Sequence, residues 1–180
     1  MFKGYNSEGV VLASKSYGEA DRIIVIFTKV AGKLLFLAKG VRKPKSKKRG
    51  NLEVFSLVKF SARGNTGLDI ITEAEMLYSF PKIRKDLKKC TLAYLMVEIM
   101  GRISSENDPN VKAYRLLINS LKSLEADGDL IVLKNDYMLA ILTTFGYWDE
   151  KRTLRDPDAL IKQVLEKDLT SVRVGKKVLS

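Results

Sequence analysis

Residues 22–38 decide the architecture: Arg22-Ile23-Ile24-Val25-Ile26-Phe27-Thr28-Lys29-Val30-Ala31-Gly32-Lys33-Leu34-Leu35-Phe36-Leu37-Ala38. Two short runs rich in Ile, Val, Leu and Phe flank Ala31-Gly32, a tight-turn pair, so the stretch reads as a β-hairpin. Neither run alternates apolar with polar. A strand with one wet face should alternate, so these runs predict cover on both sides. The same grammar extends outward over the first eighty residues. Strands are expected at 8–15, 22–30, 33–39, 53–62 and 68–76, with a turn at Tyr17-Gly18-Glu19. The link Arg63-Gly64-Asn65-Thr66-Gly67 offers Gly and Asn for positive φ. Five short strands without room for crossover helices predict a small antiparallel barrel or sandwich. The longer connection 40–52 is where a five-stranded Greek-key barrel crosses to its other side.

At Phe80-Pro81 the period changes, because proline disfavours helix in the residue before it. A helix is expected from about Asp86 to Ile103, apolar on most sides and therefore central to a bundle. A second follows Asn107-Asp108-Pro109, an N-cap with a first-turn proline, and carries Tyr114, Leu117, Ile118 and Leu121 on one face. A third follows Asp127-Gly128-Asp129 and runs through Leu133, Tyr137, Met138, Ile141 and Phe145 to a Gly146 C-cap. A shorter one begins at Asp156-Pro157. The chain thus reads as α+β, with a β unit over 1–80 and a helical unit over 81–180. The helices should pack on the outside of the hairpin strands and make one body with them.

Composition narrows the function. The 180 residues are 46% hydrophobic, which excludes a wholly disordered chain, and four prolines and twelve glycines exclude collagen-like and low-complexity architectures. The longest apolar stretch, Leu92 to Val97, is far shorter than a membrane helix, and Met1 to Asn6 lacks the apolar core of a secretory signal, so a cytoplasmic location is expected. There is no histidine and one cysteine, Cys90, read as a buried small hydrophobe. Histidine-based catalysis, an internal disulfide and four-ligand Cys/His zinc sites are excluded. No phosphate-binding glycine loop is present, and no enzyme activity or cofactor is expected. Paired carboxylates occur at Glu73/Glu75, Asp127/Asp129 and Asp156/Asp158. The Asp pairs fall where N-caps are expected and the Glu pair fits a solvent-facing strand, so metal catalysis is the weaker reading.

The net charge is +11, and the excess is concentrated. Lys39 to Arg49 holds seven basic residues among eleven and no acidic one: Lys39, Arg42, Lys43, Lys45, Lys47, Lys48 and Arg49. Crowding seven cations costs self-repulsion that a polyanion relieves, and nucleic acid does so with counterion release. These seven are the candidate phosphate contacts, with Tyr17 as the stacking candidate. Phe27, Phe36, Phe55 and Phe60 sit in apolar runs and are read as core. No recognition helix, zinc finger or ribonucleoprotein strand motif occurs, so contact should be with phosphates and tolerant of sequence. The competing readings are a solvated basic loop with no partner, a protein-interaction scaffold, and an RNA- or ribosome-associated module, since 2′-hydroxyl recognition cannot be read from a basic loop.

A family resemblance rests on an ordered series: Glu8-Gly9-Val10-Val11-Leu12, Tyr17-Gly18-Glu19-Ala20-Asp21-Arg22-Ile23, Phe27-Thr28, Gly32-Lys33, Ala38 to Ser46, Leu52 to Val58, and Gly67 to Glu75. In these the chain resembles the bacterial DNA repair protein RecO family, more loosely over the helices up to Phe145-Gly146-Tyr147. The resemblance implies an N-terminal OB-fold barrel on a helical domain. It implies a non-enzymatic recombination mediator that binds single- and double-stranded DNA, anneals complementary strands, and with RecR helps load RecA on strands coated by single-stranded-DNA-binding protein. It also implies a nucleoid-associated location, DNA contacts at Lys39, Arg42, Lys43, Lys45 and neighbouring cations, and a site for that protein's acidic, phenylalanine-ended tail on the helices. Many family members carry a four-cysteine zinc module after the position of Tyr147. Here Trp148 to Thr153 has no cysteine, so no zinc is expected.

Overall fold

A computed structural model describes residues 4–126, 128–149 and 151–165. Five strands come first: β1 (Gly4–Tyr17), β2 (Asp21–Thr28), β3 (Gly32–Ala38), β4 (Leu57–Arg63) and β5 (Asp69–Tyr78). Then come α1 (Pro81–Lys85), α2 (Leu87–Ile103), α3 (Val111–Glu125) and α4 (Leu130–Thr144). Residues 157–165 are again helical, with Asp156 accepting from Ala159 N.

The strands close into a barrel of order β1-β2-β3-β5-β4. Closure depends on the length of β1: Gly4 to Val10 pairs with β4, and Gly9 to Tyr17 pairs with β2. The pair β3–β5 is parallel, the others antiparallel. This is the OB-fold topology. A bulge in β1 between Val11 and Ala13 turns both Leu12 and Ala13 toward a groove against α2. At Gly9 any side chain would be blocked, since a Cβ would stand 2.5 Å from Ile26 Cγ2. The loop 63–67 turns without the positive φ expected there. Among the described residues that conformation falls on Gly18, Gly32, Gly40 and Gly146, and on Phe55, Phe80 and Asn107.

Two cores result. Val11, Ile24, Ile26, Phe36, Val58, Phe60 and Ile71 fill the barrel. Val10, Leu12 and Phe27 face outward into a second core with Met96, Ile99 and Met100 of α2 and residues of α3 and α4. Of the two hairpin strands expected to be covered on both sides, β2 is, together with β1, and β3 is not. The outward Leu35 and Leu37 of β3 are half-buried and join neither core.

Side chains pin the two units together. Lys33 Nζ on β3 donates to Gly101 O (2.8 Å) and Ser104 O (2.5 Å), placing a cation at the negative end of α2. Tyr114 of α3 donates to Glu8 Oε1 at 3.3 Å; burial first, then Glu8, raises the phenol pKa. Arg84 of α1 donates to Ser79 O, Val54 O and Ser56 Oγ, pairs with Glu53, and stacks 4.1 Å from the Phe55 ring centroid.

Pro81 starts a short helix that the sequence did not signal. Its first N–H groups, at Lys82 and Ile83, are accepted by Glu125, a residue 42 or more positions away. Asp86 caps α2 by accepting from Lys88 N and Lys89 N, which with the nearby lysines holds its carboxyl below the usual range. The cap of α3 is Asn110, three residues past the expected Asn107. Asn107 is instead held in a left-handed turn by its N–H bond to Lys33 O, and Pro109 precedes the helix. Asp129 caps α4, and Asp127 lies outside the described residues. At the other end Gly146, at φ 76°, donates to Thr143 O and Tyr147 donates to Leu142 O, the Schellman closure that Gly146 led one to expect. Cys90 is half-buried against the helical core, less enclosed than expected.

Candidate nucleic-acid interface

The connection from β3 to β4 is fixed at both ends of its basic stretch. Val41 and Leu52 are each 1% exposed and sit in the barrel core. Gly40, with φ 64°, donates its N–H to Asp21 Oδ1 at 2.7 Å, and Arg42 N donates to Ala20 O. Asn51 Nδ2 donates to Ala74 O on β5 at 2.9 Å. Between these anchors the chain folds as consecutive tight turns: Lys43 N to Gly40 O, Ser46 N to Lys43 O, Arg49 N to Ser46 O and Asn51 N to Lys48 O. A loop anchored this way presents its cations in a defined arrangement.

The structure brings most of the sequence-predicted residues together. Lys39, Arg42, Lys43, Lys45, Lys47 and Arg49 are exposed. Arg42 donates to Gly18 O at 3.2 Å, which ties the loop to the β1–β2 turn and sets Tyr17, 54% exposed, beside it. Lys43, Lys45, Lys47 and Lys48 line one wall of a groove of about 560 Å³ whose other wall is Thr72, Glu73 and Ala74 of β5. Among the described residues no carboxylate forms an ion pair with the cations of 39–49.

Lys48 stands apart. It is half-buried, its ammonium donates to Ile71 O at 3.0 Å, and burial lowers its pKa against the opposing pull of Asp21. Of the seven it is the least available to a phosphate. Phe27, Phe36, Phe55 and Phe60 are at most 2% exposed, as core residues should be. Glu73 and Glu75 are exposed on β5, with Glu75 opposite Lys59 of β4.

Of two further neighbours of this surface, Lys15 is not singled out in the sequence, and Glu73 is read there only as half of a solvent-facing carboxylate pair. Lys15 is exposed two residues before Tyr17 and so shares its strand face, a signal that alternation alone carries. Glu73 borders the groove only because β5 closes the barrel next to the loop, and nothing in the local sequence announces it.

Comparison with known proteins adds a separate line. Residues 1–80 match the family model described as Recombination protein O N terminal, and residues 84–148 match Recombination protein O C terminal. A protein named DNA repair protein RecO from Pelotomaculum thermopropionicum is 30% identical over 145 residues, 81% of this chain and 56% of the relative. One of the same name from Rubrobacter xylanophilus is 40% identical over 121 residues, 67% of this chain and 48% of the relative. A third, from Halalkalibacterium halodurans, is 22% identical over 188 residues, 97% of this chain and 74% of the relative. Against the first two the chain spans about half of the relative's length.

Proposed function

This chain belongs to the RecO family, and we propose that it is a non-enzymatic mediator of DNA repair and recombination. It binds single- and double-stranded DNA through phosphates, anneals complementary strands, and with RecR helps load RecA onto strands coated by single-stranded-DNA-binding protein. The observation that carries the reading is the anchored basic loop, whose exposed cations have no carboxylate partner among the described residues. A cationic surface screens the repulsion between two strands and concentrates them, leaving base pairing to supply specificity.

The partner's acidic, apolar-ended tail has a groove of matching chemistry between α2 and α4. Leu87, Leu92, Leu95, Leu130 and Ile131 line about 430 Å³, with Lys88 and Lys134 at the rim. Leu87 is 83% exposed and Ile131 71%, an apolar surface that gains from being covered. Lys134 is already paired with Asp158 at 2.6 Å, so Lys88 supplies the charge for an incoming carboxylate.

The test is charge reversal at Lys43, Lys45 and Lys47, leaving the inward Lys48 intact. The triple Lys→Glu variant should lose about 100-fold in affinity for labelled single-stranded DNA by fluorescence anisotropy, with an unchanged melting temperature. Unchanged affinity removes the loop as the contact. Competition by a matched RNA strand at equal strength would favour an RNA-binding module instead.

A further inference from the structure

The helical half carries a second set of cations that the basic loop does not explain. On α3, Lys112, Arg115, Asn119 and Lys122 are all exposed. Their spacings of three, four and three place them along one face over about 15 Å of helix. No carboxylate of α3 faces a ligand there: its one acidic residue, Glu125, accepts from Lys82 N and Ile83 N and so caps α1. The stripe leads at that end to further cations. Lys82 and Lys85 of α1 are exposed, and Lys89 Nζ donates to Ala126 O just past α3. Asp86, the acid between them, is occupied in capping α2. Glu106 and Asp108 lie ahead of the stripe, in the loop that turns against β3. Among the described residues Lys112, Arg115, Lys122, Lys82 and Lys85 form no ion pair.

The position of this face matters as much as its charge. The start of α3 meets the barrel where Tyr114 bonds Glu8, near the beginning of β1. The basic loop is tied to the other end of β1, where Arg42 reaches Gly18. Nine residues of extended strand separate Glu8 from Tyr17, roughly 30 Å at the rise of a β-strand. That is nearly four Debye lengths of about 8 Å at physiological salt, so an anion held at one surface scarcely repels an anion arriving at the other.

We infer that the face formed by α3 and α1 binds the sugar–phosphate backbone of a second nucleic-acid strand while the basic loop holds the first. One molecule then carries two strands at once and raises their concentration for each other. The inference rests on the reading that the basic loop binds DNA, and goes beyond it in assigning a second surface and its residues.

A bridging assay tests it. The full chain is loaded on an immobilised oligothymidylate, and a fluorescent oligothymidylate, unable to pair with the first, is then added. The wild-type chain should capture the second strand. A Lys112→Glu, Arg115→Glu, Lys122→Glu variant should bind the first strand within about threefold of wild type yet lose about tenfold or more in capture. The corresponding triple alanine variant, with a melting curve, serves if charge reversal unfolds the helix, and should show a smaller loss in the same direction. Capture undiminished in these variants, or absent from a wild-type chain that binds the first strand well, overturns the inference. A wild-type chain that binds no strand at all fails earlier, at the basic loop itself.

Discussion

Between β3 and β4, seven cations fall within eleven residues, and only Arg42 and Lys48 donate from their side chains to protein acceptors among the described residues. At the seam between barrel and helices the same residue types are bound in. Arg84 meets three oxygen acceptors, the Glu53 carboxylate and the Phe55 ring, and Lys33 meets two carbonyls at the end of α2. Buried polar groups must be paired, so seam cations are fixed by the fold's own hydrogen-bond accounting. Exposed cations with no partner add nothing to that accounting and repel one another. The difference teaches that in this chain the position of a cation relative to the two cores, and not its abundance, separates holding the protein from holding a ligand.

Substitutions can break that division. Arg84→Ala is expected to cost about 3 kcal/mol of stability, by denaturant unfolding, because Ser56 and two carbonyls lose their donor in a partly buried site. DNA affinity of the folded fraction should not change. A loss of affinity at unchanged stability would mean that Arg84 belongs with the loop. Lys33→Met should cost about 2 kcal/mol, since the α2 carbonyls lose a cation that the helix dipole favours. If it proves neutral, the Lys33 ammonium adds nothing to the hold between barrel and helices, which then rests on the apolar core and the Tyr114 and Arg84 contacts. Tyr17→Ala sharpens the other side of the comparison. It should leave the melting curve in place and weaken single-strand binding by about 1 kcal/mol, roughly fivefold, as one lost base stack does.

Local rules made much of the fold legible. The turns at Gly18 and Gly32, the Phe80-Pro81 break, the Asp129 cap and the Gly146 closure all act through neighbours in sequence, and each appears where the pattern puts it. The loop 63–67, by contrast, turns without the positive φ expected of it. The misreadings come from distant neighbours. The Asn107 cap gave way to Asn110 because a β3 carbonyl captured Asn107. Helix α1 exists because Glu125 caps it from the far end of α3. The helices leave β3 uncovered although its apolar run matches that of β2, because such a run cannot say which strand the helices choose. At the candidate interface the cluster itself was legible as a charge run. That Lys48 turns inward to Ile71, and that Glu73 faces the lysines, follows only from the closure of β5 beside the loop.

The central claim is electrostatic, and the salt dependence of DNA binding tests it most directly. With about five phosphates neutralised on a single strand, log affinity should fall with log salt at a slope of about −3.5. Changing Lys43, Lys45 and Lys47 to alanine should flatten the slope to about −1.4. A wild-type slope near zero, or a slope that the three alanines leave untouched, would contradict the account.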